Sequence, residues 1–343
     1  MDHADTVPAD CGNYDMLFHQ GKFYRMGACQ GACPALKVLI FSAEPWMFSG
    51  SMVAIVTPMT SEGDLDWPAW DRLLDFHIHA GTDGIVVAGT TGESPALREA
   101  EIEQLTRRAL ARCRGRLRII VGAGTNSTDT TVARTRALSR LGVDAVMVVA
   151  PYYNKPPQEG LYRHFVAAAD ASSVPLVLYN VPGRTAVDLQ PATLARLARH
   201  PRIVALKEAV TSLARAREIV SLCPAEFSLL SGDDASALAF MSVGARGVIS
   251  VTANVAPRRM HEVCEAALSG DMDTARSIDA TLQPLHKDLF VEANPIPVKW
   301  ALARMGLMGN AIRLPLVELS ASHQDSVLRA MRAAGVALED QAA

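Results

Sequence analysis

The sequence predicts an α/β protein: a parallel eight-stranded barrel ringed by helices, the (β/α)8 or TIM-barrel architecture, carrying a C-terminal helical appendage. Two observations predict it. Short apolar runs alternate with longer amphipathic stretches eight times between Met47 and residue 271. Each of several runs also ends in polar, glycine-rich or aromatic residues, where this fold builds its sites.

The runs, taken in order, are Met52 to Thr57, Gly84 to Ala88, Leu117 to Val121, Ala145 to Ala150, Leu176 to Tyr179, Ile203 to Lys207, Phe227 to Ser231 and Gly247 to Val251. They are apolar at consecutive positions, as strands buried on both faces are. Between them lie Trp67 to Ala80, Glu99 to Cys113, Asp129 to Leu141, Gly160 to Ala171, Pro191 to Arg199, Ala214 to Leu222 and Ala235 to Val243, each long enough and amphipathic enough for a helix. From Met272 onward the pattern is helical only, with Thr274 to Phe290, Ile296 to Met305 and His323 to Ala334 as candidates. The expected domains are therefore a barrel over 47–271 and a helical part over 272–343. Residues 1–46 show no clear period and are expected to be a poorly ordered extension that adds little to the fold.

The composition is that of an ordinary globular protein, 49% hydrophobic and 20% charged. A net charge of -3 offers no electrostatic case for nucleic acid or an anionic membrane, which leaves small molecules as partners. No apolar stretch reaches the roughly 18 residues of a membrane span, and the start lacks the marks of a secretory signal or transit peptide. Cys113, Cys223 and Cys264 are scattered without paired spacing, which points to reduced thiols in the cytoplasm. Cys29 and Cys33 are half of a metal pair with no second half, so no metal site is expected there.

Lys207 ends the run Ile203-Val204-Ala205-Leu206. An ammonium group in such a strand loses its water, which lowers its pKa and exposes a neutral amine able to condense with a ketone. The alternative is a lysine whose head snorkels to solvent. Gly89-Thr90-Thr91-Gly92-Glu93-Ser94 can offer N–H and O–H donors to a small carboxylate, or can be a plain helix cap. Tyr152, Tyr153 and Tyr179 follow or end strands, where phenols relay protons or merely pack. Arg184 could clamp a second carboxylate. Asp233 and Asp234 suit a helix N-cap better than a metal, and His77 and His79 are taken as ordinary helix residues.

Seven segments together are specific: Ser51-Met52-Val53-Ala54-Ile55-Val56-Thr57-Pro58, the Gly89–Ser94 loop, Tyr152-Tyr153-Asn154-Lys155-Pro156, Tyr179-Asn180-Val181-Pro182-Gly183-Arg184-Thr185, Leu206-Lys207-Glu208-Ala209, Ser231-Gly232-Asp233-Asp234-Ala235, and Gly247 to Val255. From Met47 to Val336 the chain closely resembles the dihydrodipicolinate synthase family of pyruvate-dependent class I aldolases. The resemblance implies pyruvate and L-aspartate 4-semialdehyde as substrates, no metal or organic cofactor, and a homotetramer built as a dimer of dimers. It implies that Lys207 forms the Schiff base with pyruvate. It makes Thr90, Tyr153 and Tyr179 a proton relay, with Tyr153 reaching into a neighbouring subunit. Thr91 would hold the pyruvate carboxylate, Ile249 would line the pocket, and Arg184 would receive the aldehyde's carboxylate.

Ser94, Asn126 and Tyr152 match a cleft that binds lysine as an inhibitor in sensitive relatives. Glu99 and Thr130 depart from that pattern, which has a histidine and a glutamate there, so weak inhibition by lysine is expected. A sugar-acid or N-acetylneuraminate lyase of the same superfamily is the alternative activity. A catalytically silent keto-acid-binding barrel is the non-enzymatic one.

Overall fold

The computed structural model describes residues 14–19, 22–27, 48–113 and 115–338. The chain divides into two units, 1–47 and 48–343. In the first, β1 (Tyr14–His19) and β2 (Lys22–Gly27) pair antiparallel, with Tyr14 opposite Gly27 and His19 opposite Lys22. The hairpin departs from the expectation of a segment without periodic structure. The expectation of a poorly ordered extension, and the Cys29 and Cys33 reading, otherwise fall outside the described residues.

The second unit is a closed parallel barrel of β3 (Gly50–Ala54), β4 (Gly84–Val87), β5 (Arg118–Gly122), β6 (Ala145–Val149), β7 (Leu176–Asn180), β8 (Ile203–Glu208), β9 (Ser228–Ser231) and β10 (Gly247–Ser250). Closure joins β10 to β3 with Gly247 opposite Gly50. A Cβ on Gly247 would stand 2.0 Å from the Gly50 carbonyl oxygen, and its φ of 151° suits glycine alone, so this seam needs a residue without a side chain.

The helices are α1 (Trp67–Ala80), α2 (Glu99–Cys113), α3 (Thr128–Leu138), α4 (Gln158–Ala171), the single turn α5 (Pro182–Thr185), α6 (Pro191–Leu197), α7 (Leu213–Leu222), α8 (Ala237–Met241), α9 (Pro257–Leu268), α10 (Met272–Asp288), α11 (Ile296–Arg304) and α12 (Ala321–Ala333). Capping explains the sharpness of α1: the Asp66 carboxylate accepts the Ala69 N–H at 3.0 Å, and Gly81 ends the helix in the left-handed region at φ 79°. Val53, Ile85, Val121, Val146 and Leu178 pack outward into one buried cluster with the helices. Met52, Val86, Ile120, Val177 and Ala205, one residue out of step, are buried apart from that cluster and fill the barrel. Tyr179 and Lys207 stand two residues beyond Val177 and Ala205, so they share the inward face at the carboxyl end.

Residues 48–343 cluster as one compact unit that includes the barrel and the helices after residue 271. One expectation needs correction. Helix α8 starts at Ala237 rather than Ala235, since Asp233 first closes a turn by accepting the Ser236 N–H at 2.9 Å and hydroxyl at 2.6 Å. Among the described residues no helix is long and apolar enough to cross a membrane.

Candidate active site

Lys207 is the fifth residue of β8 and is 5% exposed. Its register partner on β7 is Tyr179, and its Nζ lies 4.4 Å from the centre of that ring. Burial lowers the lysine pKa from 10.5 to about 8; the Asp234 carboxylate works against this and the Arg184 guanidinium with it. About a tenth of the amine is then neutral at pH 7, a useful supply of nucleophile. The buried setting favours the desolvated reading over snorkelling.

The Tyr179 phenol is buried as well, which raises its pKa, while Arg184 and a hydrogen bond with the Thr90 side chain oppose the rise. Thr90 therefore lies close to the phenol. Thr91 is buried, and its Oγ1 accepts a 2.9 Å hydrogen bond from Asn294 Nδ2. Holding the oxygen as an acceptor leaves the hydroxyl proton free for a carboxylate. Both threonines follow β4, in a loop tied down by the Thr57 hydroxyl donating to the Gly92 carbonyl at 2.8 Å.

Arg184 lies on α5, and its Nη2 donates to the Asn294 carbonyl at 3.4 Å. Asn294 thus touches both the Thr91 hydroxyl and Arg184. Ile249 is fully buried on β10, beside Met52 of β3. The ends of β7 and β8 are held by a polar cluster: Arg215 donates to Glu208 at 2.9 Å and to Asp188 at 2.9 Å, and Asn180 donates to both carboxylates. Asp234 receives the Val251 and Thr252 N–H groups at 2.9 and 3.0 Å, so its role is to clamp the end of β10 while its charge acts on Lys207.

Tyr153 does not join this group within one chain. It is 87% exposed, and its φ of 76° projects it from the loop after β6. Tyr152 is 39% exposed; Ser94 and Asn126 are half-buried. Glu99 is ion-paired with Arg134, and the Thr130 hydroxyl donates to Ser127 Oγ at 3.2 Å. His77 is buried, with Nδ1 3.0 Å from the Thr82 hydroxyl, and desolvation drops its pKa to about 3. It is a packing residue.

Sequence reasoning missed Asn294, Glu93 and Lys299. A signal for Lys299 was present: it interrupts the apolar run Ile296-Pro297-Val298-Lys299-Trp300-Ala301-Leu302, all of it buried.

A desolvated lysine against a phenol, at the carboxyl mouth of a (β/α)8 barrel, is the arrangement of barrel aldolases that bind a keto acid as an imine. Comparison with known proteins narrows the class. The model of the Dihydrodipicolinate synthetase family matches residues 47–334, and the chain belongs to that family. A 4-hydroxy-tetrahydrodipicolinate synthase of Laribacter hongkongensis is 55% identical over 290 residues, spanning 84% of this chain and 100% of the relative. The dihydrodipicolinate synthase of Aquifex aeolicus superposes with a TM-score of 0.83 at 42% identity, over 85% of this chain and 100% of that one. The Acinetobacter baumannii enzyme, a chloride-inhibited dihydrodipicolinate synthase solved with pyruvate, does so at 0.83 and 45%, over 84% and 99%.

Proposed function

We propose that this chain joins pyruvate to L-aspartate 4-semialdehyde through an imine on Lys207. The activity is that of a lyase, 4-hydroxy-tetrahydrodipicolinate synthase, in the biosynthesis of diaminopimelate and lysine. The observation that carries the covalent step is the buried Lys207 amine, with a pKa of about 8, against Tyr179.

The neutral amine adds to the keto carbon of pyruvate, and loss of water gives the imine. Its nitrogen draws electrons from the methyl carbon, so a methyl proton leaves through Tyr179 and an enamine forms. The enamine carbon attacks the aldehyde, and the new alkoxide takes a proton from the relay. The substrate's own amine then displaces Lys207, which closes the ring and frees the enzyme. The imine is the electron sink, so these steps call for neither metal nor organic cofactor. Thr91 holds the pyruvate carboxylate, Ile249 shapes the pocket, and Arg184 takes the carboxylate of the aldehyde.

Tyr153, exposed in one chain, completes the Thr90–Tyr179 relay of a neighbouring copy, so the working form is a homo-oligomer, a dimer of dimers. Reduced Cys113, Cys223 and Cys264 support a cytoplasmic setting.

The test of the activity is a comparison of kcat/KM for this condensation with that for cleavage of N-acetylneuraminate. Condensation should dominate; preferred cleavage would assign the chain to the sugar-acid lyases. In Arg184→Ala the KM for the aldehyde should rise by roughly tenfold to a hundredfold, the loss of one charge-assisted contact. Imine formation should survive and move to slightly higher pH, since Arg184 helps depress Lys207. An equal fall in pyruvate adduct would make Arg184 structural.

L-lysine should inhibit weakly. The charge of Glu99 is already answered by Arg134, and Thr130 brings none, so neither position offers a free carboxylate to the ligand's ammonium groups beside Ser94, Asn126 and Tyr152. Half-inhibition by submillimolar lysine at subsaturating pyruvate would contradict this.

A further inference from the structure

Glu93 and Lys299 form an ion pair at 2.5 Å, with each side chain only 1% exposed. Glu93 sits in the loop that carries Thr90 and Thr91, and it is held in the left-handed region at φ 57°, a conformation unusual for a residue with a side chain. Its N–H donates to the Thr90 carbonyl at 3.1 Å, and its second carboxylate oxygen accepts the Arg313 N–H at 3.1 Å. Lys299 lies on α11, just past Asn294, whose amide reaches the Thr91 hydroxyl. Helix α11 and the turn that leads into it therefore grip the threonine loop at two points.

Stability is a poor reason for this pair, because a buried ion pair is commonly no better than apolar residues of the same volume. What it does supply is a fixed position for a backbone turn that would relax without it. We infer that Glu93 and Lys299 are positioning residues for the proton relay: their pairing fixes the turn at Glu93 and thereby sets the Thr90 hydroxyl against the Tyr179 phenol. Neither residue touches substrate. The inference rests on the reading that Lys207 forms the imine and that Tyr179, with Thr90, moves the methyl proton.

The test uses the full chain with the double substitution Glu93→Gln and Lys299→Met, which removes both charges and leaves neither partner buried alone. Two readouts separate the steps. Borohydride trapping of pyruvate reports the imine on Lys207, and uptake of solvent deuterium into the pyruvate methyl group reports proton transfer through the relay. Trapping should stay within about twofold of the wild type. Deuterium uptake should slow by roughly tenfold to a hundredfold, the effect of displacing a relay group by about an ångström. Unchanged uptake would overturn the inference, and so would a parallel fall in trapping and uptake, which would mean that the pair supports the whole mouth. Lys299→Met alone, which removes the side-chain donor to Glu93 while the Arg313 N–H still holds its other oxygen, serves under the same criteria if the double variant does not fold. Wild-type protein that yields no adduct on Lys207 would instead remove the underlying reading, and this inference with it.

Discussion

Lys207→Ala should leave a folded protein whose turnover is lower by several orders of magnitude, because the covalent route has lost its nucleophile and the remaining groups cannot make an imine. The stability of the site points the same way. Holding an ammonium group where its pKa falls from 10.5 to about 8 costs on the order of 3 kcal/mol. For a lysine depressed in this way the cost is complete below pH 8 and is relieved as pH rises toward 10.5, since in that window the unfolded chain still holds the proton that the folded chain has lost. Lys207→Met, which keeps the volume and discards the charge, should therefore melt no lower than the wild type at pH 7 while being equally inactive. A large fall in its melting temperature would mean that the lysine is there for packing.

The second large effect belongs to Tyr179→Phe. The ring and its packing against Lys207 survive, and only the hydroxyl that meets Thr90 is lost. Turnover should drop by about 10²- to 10⁴-fold, the usual contribution of a placed acid or base. The imine should still form, so pyruvate should remain reducible onto the protein while methyl proton exchange is slow. A loss smaller than tenfold would transfer the proton relay to another group or to water.

The barrel was largely legible in the sequence because its strands are buried on both faces and stand out as runs without polar interruption. Ile203 to Lys207 and Leu176 to Tyr179 each differ from the observed strand by a single terminal residue. Lys207 stood out for the same reason: one ammonium in such a run breaks the pattern. The helix Pro257–Leu268 was passed over, although Met260, Val263 and Cys264 give it a buried helical stripe, because two arginines and a histidine open it. The turn at Pro182–Thr185 read as a loop, since a single turn has no period to detect.

The support of the site was not legible, for a different reason. Glu93 and Lys299 are 206 positions apart, and Thr91 and Asn294 are 203 apart. Local pattern carries no sign of such pairs, whose meaning arises only when the helices after the barrel fold back over its mouth. Tyr153 illustrates the converse: its residue type fits a family motif, yet within one chain it is exposed and apart from Lys207.

If Lys207 is the amine that binds pyruvate, reducing the protein with borohydride in the presence of pyruvate and mapping the modified peptide will show it. The adduct should lie on Lys207 alone, and its initial rate of formation should climb as pH rises toward about 8 and more of the amine becomes neutral. Modification of another lysine, such as Lys155 or the buried Lys299, or a protein left unmodified while it still turns over, would contradict the account.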